Sequence, residues 1–68
     1  MITIQVNGEL RACPAGLRLP QVLVELGYRP EIVVVEFNGM ILSRAEWAAQ
    51  PVVESDALEV VTIVGGGS

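Results

Sequence analysis

The segment Thr62 to Ser68, TIVGGGS, holds the residues best suited to chemistry: Gly65, Gly66 and Gly67, placed directly after an apolar β-type run. Without a Cβ, glycine lets another protein's backbone and an ATP α-phosphate approach closely, and an activated glycine carboxyl has no chirality to lose. A free carboxylate is a poor acyl donor until its oxygen becomes part of a leaving group. Adenylation with ATP achieves this, after which sulfur or another nucleophile can attack the acyl carbon. The same letters also occur as linkers and frayed ends, so the segment gains chemical meaning only from the body that presents it.

Other chemistry is poorly supplied. There is no histidine, and Cys13 is the single cysteine, so no zinc or iron–sulfur ligand set and no internal disulfide can be assembled. Without a histidine or lysine to lower its pKa, Cys13 reads as a small, partly buried filler and not a nucleophile. The net charge is −4 with no lysine, which disfavours nucleic acid and suits a basic protein partner. Paired carboxylates in a cleft are not recognisable, and 68 residues leave little room for an enzyme pocket. The chain is therefore expected to bind no cofactor of its own.

The elements that must position the tail follow from patterning. At 51% hydrophobic and 18% charged residues the chain is too apolar for disorder, and its length allows one domain with one small core. Its longest apolar run, IVVV, falls far short of the roughly 20 residues of a membrane helix, and no leader pattern opens it. A cytoplasmic location is the expectation.

ITIQV alternates and meets Asn7-Gly8, a strong hairpin signal; ELRAC returns, with Leu10 and Ala12 expected to point inward. Leu19, Val22, Leu23 and Leu26 fall at helical spacing. Pro20 suits the first position of this main helix and Gly27 its end, while Leu19 makes a weak N-cap. IVVVEF closes on Asn38-Gly39 and MIL returns as a second hairpin. Ser43 and Glu46 have capping-box spacing for a short helical turn carrying Trp47. LEVVTIV is apolar on both faces, which predicts a central strand. One main helix against a mixed sheet of about five strands, with the short second helical turn, is an α+β domain, and the β-grasp roll is the compact arrangement that fits. The predicted division is a domain over 1–64 and a flexible tail over 65–68.

Val61 and Ile63 fall on the sheet face away from the main helix. They form either a partner-docking face or a patch covered by the loop that holds Trp47. Trp47 itself reads as a packing anchor. Glu54, Asp56 and Glu59, joined by Glu36, form a solvated acidic face or a steering surface for a basic activating enzyme.

The segments VNGE, FNG, SRAEW and ESDALEVVTIVGGG together resemble ThiS, the ubiquitin-like sulfur carrier family of thiamin thiazole synthesis, over essentially the whole chain. The resemblance implies a carrier, not an enzyme. Its C-terminal glycine, Gly67 here, would be adenylated by a ThiF-like adenylyltransferase using ATP and converted to a thiocarboxylate with sulfur from a donor system. A ThiG-like thiazole synthase would take that sulfur. Gly65 and Gly66 would form the arm. A molybdopterin-type carrier (MoaD-like) shares fold and chemistry, and a ubiquitin-like binding module with an inert tail is the rival from another class. Ser68 departs from the family's glycine ending: it is trimmed, is foreign to the natural chain, or leaves the carboxyl locked as an amide.

Overall fold

Two asparagine–glycine pairs fix the frame. Asn7-Gly8 (φ 53° and 84°) and Asn38-Gly39 (φ 52° and 87°) occupy the left-handed region that a two-residue hairpin of right-handed twist requires. The first joins β1 (Ile2–Val6) to β2 (Glu9–Cys13), and the second joins β3 (Val33–Phe37) to β4 (Met40–Ile41). The computed structural model describes residues 1–63. The remaining elements are helix α1 (Leu19–Glu25), a 3-10 turn (Pro30–Ile32), helix α2 (Arg44–Trp47) and strand β5 (Ala57–Thr62).

The five strands run in the order β2-β1-β5-β3-β4, with β1 and β5 parallel and the other pairs antiparallel. This is the mixed sheet with one main helix expected from the sequence, and β5 is its middle strand. Ile4, Val6, Val33, Val35, Leu58 and Val60 form the covered face, and Leu19, Val22 and Leu23 of α1 belong to the same core with Cys13, Trp47 and Val52. Burying each such aliphatic side chain is worth about 1.5–3 kcal/mol.

The inward reading of Leu10 and Ala12 is corrected. The two-residue turn sets Ile4 opposite Arg11 and Ile2 opposite Cys13, and residues directly opposite share a face. Cys13 is therefore buried, while Leu10 lies opposite Gln5 and is 73% exposed. Arg11, on the helix side, reaches the carbonyl of Leu26 at 3.4 Å, a cation at the C-terminal end of α1.

α1 starts from Arg18, whose N–H donates to Oε1 of Gln21 at 2.9 Å; Leu19 is thus its first residue and Pro20 its second. At the far end Gly27 donates to Val24 and Tyr28 donates to Leu23, a Schellman closure that fits φ +94° at Gly27. α2 does not use the capping box: the Ser43 side chain makes no cap bond. Arg44 and Trp47 hold that segment instead. The Arg44 guanidinium donates to the carbonyls of Pro30 (2.7 Å) and Val33 (3.0 Å) and lies 4.8 Å from the centre of the Trp47 ring. The indole Nε1–H donates to Leu42 at 3.0 Å.

The two turn asparagines also bind the central strand. β1 pairs with β5 only at Gln5–Ala57 and Val6–Leu58. Beyond that point Asn7 replaces a missing backbone: its Oδ1 accepts from Val60 N–H at 2.7 Å and its Nδ2 donates to Val60 C=O at 3.1 Å. From β3's side Asn38 Oδ1 accepts from Ala57 N–H at 2.8 Å. Asn7→Ala would leave both backbone groups of Val60 without these partners. A loss of about 2–3 kcal/mol in denaturant unfolding is expected, with faster amide exchange at Val60. An unchanged unfolding midpoint would show that water replaces the carboxamide at no cost.

Candidate functional site

The reactive segment named from the sequence, Gly65, Gly66, Gly67 and Ser68, lies outside the described residues, as does Val64. What can be built is the base from which it continues. Ile63 N–H donates to the carbonyl of Ile32 at 2.6 Å, so pairing with β3's side runs one residue past the end of β5. β5 is thus held by β3 along its length and by β1, extended by the Asn7 carboxamide, through Val60.

Alternation along β5 assigns neighbouring residues to opposite fates. Val60 is 5% exposed in the core, whereas Val61 is 58% and Ile63 50% exposed on the face away from α1. The cover considered for them, the loop carrying Trp47, is elsewhere: Trp47 is buried in the core cluster. Its role as a packing anchor is therefore the observed one.

The open face has members that periodicity did not single out. Register sets Val34 opposite Val61, Glu36 opposite Glu59 and Ile41 opposite Glu36. Val34, Val35, Glu36, Ile41, Glu59 and Val61 line a groove of about 200 Å³. Val34 and Ile41 escaped the sequence reading because an unbroken run such as IVVV does not announce which residues turn outward. Only the strand partners decide that.

The acidic cluster divides. Glu54 Oε1 accepts from the N–H of Thr3 at 2.9 Å. Asp56 closes its own turn by accepting from Val53 N–H at 2.8 Å and also accepts from Asn38 Nδ2 at 3.1 Å. Asp56 thus closes the Val53–Asp56 turn, where Ser55 takes φ 73°, and Glu54 ties that turn to β1. Glu36 and Glu59 face solvent side by side on the open face and take no part in such bonds among the described residues.

Cys13 is 1% exposed, and burial, reinforced by the charge of Glu25, pushes its thiol pKa up. It is held as a neutral core thiol. Among the described residues no group of three or more potential ligands is placed to hold a metal ion, and no helix is long and apolar enough to cross a membrane.

The model of the ThiS family matches residues 4–67. The chain is 42% identical, over 94% of its length, to a thiazole synthase of Magnetococcus marinus, and spans only 20% of that relative's length. It is 39% identical to uncharacterized protein ycf40 of Pyropia yezoensis, with 97% of this chain and 93% of the relative covered. Among solved structures it is similar to the thiamine biosynthesis protein (ThiS) of Geobacter metallireducens, with TM-score 0.80 and 32% identity over 97% of this chain and 100% of that one.

The division between the two faces predicts opposite responses at adjacent positions. Val60→Ala should cost about 2 kcal/mol in chemical denaturation, as a core truncation does. Val61→Ala should stay within about 0.5 kcal/mol of the parent. Equal losses would place both residues in the core and remove the open face.

Proposed function

The chain belongs to the ThiS family, and on that premise we propose that it is a sulfur carrier protein of thiamin thiazole formation, a protein cosubstrate modified and read by other proteins. The observation that carries the reading is the extent of the family match: it runs through residue 67 and so takes in Gly65, Gly66 and Gly67 together with the folded body.

In the proposed cycle the carboxylate of Gly67 attacks the α-phosphorus of ATP on a ThiF-like adenylyltransferase. A P–O bond forms and pyrophosphate leaves. Hydrosulfide released by the donor system then attacks the acyl carbon; the C–S bond forms, the C–O bond to AMP breaks, AMP leaves, and the thioacid loses its proton to give the thiocarboxylate. Adenylation supplies the leaving group that a bare carboxylate lacks. A ThiG-like thiazole synthase takes the sulfur. The relative described as a thiazole synthase, which contains a segment 42% identical to this chain, supports the link to that enzyme. Ser68 must be absent when the cycle begins, because with Ser68 attached the Gly67 carbonyl is part of a peptide bond and offers no carboxylate to form the acyl adenylate.

In this scheme the body contributes no catalytic group. It holds β5 rigidly between β1 and β3 and offers the open face of the sheet as the address that the enzymes recognise.

Intact-mass measurement tests the proposal. A chain ending at Gly67, incubated with the adenylyltransferase, ATP and a sulfur source, should gain the mass difference between one sulfur and one oxygen. A chain that keeps Ser68 should not. If the folded chain ending at Gly67 never changes mass, the binding-module reading replaces the carrier reading.

A further inference from the structure

Two carboxylates on adjacent strands, directly opposite each other, repel; like charges at such a position destabilise a sheet. Glu36 and Glu59 occupy that position on β3 and β5, on the exposed face and beside Val34, Val61 and Ile41. Among the described residues no arginine donates a hydrogen bond to either carboxylate. Arg11 donates to the carbonyl of Leu26, Arg18 to that of Ala48, and Arg44 to those of Pro30 and Val33, so three of the four arginines are engaged with backbone carbonyls. The other two acidic residues of this region are engaged with backbone N–H groups, Glu54 with that of Thr3 on β1 and Asp56 with that of Val53 in its own turn. Glu36 and Glu59 are left as a concentrated negative site whose rim is apolar.

A site of this kind has one complement. A guanidinium or ammonium group fits between the two carboxylates, and aliphatic side chains beside it fit over Val34, Val61 and Ile41. Val34 and Val61 form the cross-strand pair next to Glu36 and Glu59, and Val61 lies two residues before Ile63, where the chain leads into the glycine segment. A partner seated there would hold the tail's point of departure.

We propose that the Glu36–Glu59 pair and the groove of Val34, Ile41 and Val61 form a receptor for a basic side chain, flanked by aliphatic ones, on the surface of the thiazole synthase. The inference rests on the carrier reading, and among the partners of that reading the thiazole synthase is singled out because a relative of that description itself contains a segment 42% identical to this chain. The repulsion is a cost carried by the free chain and relieved in the complex: the two residues contribute to recognition at the expense of stability.

That trade gives the site a signature distinct from a purely structural role. Glu36→Gln and Glu59→Gln should each raise the melting temperature of the free chain, by roughly 2–4 °C. Each should also weaken binding to purified thiazole synthase about tenfold in titration calorimetry and flatten the decline of affinity with salt. Glu9→Gln, an exposed change on β2 at the sheet's edge, should leave affinity unaltered. The inference is overturned if the two variants bind as tightly as the parent, whatever happens to their melting temperatures, or if Glu9→Gln weakens binding equally, which would reduce the effect to net charge. Thiocarboxylate formation by the same variants, followed by intact mass, separates this outcome from failure of the carrier reading. If sulfur is loaded normally while affinity does not change, only the receptor falls; if the parent chain itself is never loaded, the carrier reading falls.

Discussion

The structure depends on the problem of satisfying a central strand that has a short neighbour. β5 must be held on both edges because it carries the link to the tail, yet β1 turns away at Val6 after two paired positions. Asn7 solves this by presenting its carboxamide, a peptide group in miniature, to both backbone groups of Val60, separated from it by 53 residues in sequence. The conformation that lets Asn7 do so, φ 53°, is the one the hairpin turn demands. One residue closes the β1–β2 hairpin and lengthens the β1–β5 ladder, so local turn chemistry and long-range topology agree.

Once β5 is fixed, the pleat assigns its side chains without further choice. Leu58 and Val60 join the core; Glu59, Val61 and then Ile63 look outward. In so small a domain nearly every inward position is needed for stability. Partner specificity therefore has to be written on the outward set, where changes leave the core intact.

The sequence made the frame legible where a local signal had a single meaning. The two Asn-Gly pairs marked both hairpins, the 3.6-residue stripe marked α1, and apolar residues on both faces of LEVVTIV marked the middle strand. Where the meaning depended on partners, it did not. Leu10 reads as inward by alternation alone, but parity carried through the two-residue turn places it opposite Gln5 and outside. The 3-10 turn Pro30–Ile32 is held by Arg44, 14 residues from Pro30, which no local pattern announces. Ser43 and Glu46 have the spacing of a capping box, yet Arg44 and Trp47 anchor that segment instead. At the candidate site, Val61 and Ile63 were identified from alternation in one strand. Val34, Ile41 and the Glu36–Glu59 pairing needed the register of β3 against β5 and β4, which is a property of the sheet.

Electrostatics on this chain follow the same division of labour. With four arginines and no lysine, the chain has few cations to place. Guanidinium groups suit backbone carbonyls at segment ends because their fork of donors can satisfy more than one acceptor, as Arg44 does at Pro30 and Val33. Every arginine used in that way brings order to a loop and is withdrawn from neutralising a carboxylate. Two of the eight carboxylates, Glu36 and Glu59, stand on the sheet face that the fold leaves open, and beside β5 they meet exposed valines and an isoleucine. The bonds that keep the loops in place and the negative, apolar character of the open face thus have a common origin in how the few arginines are spent.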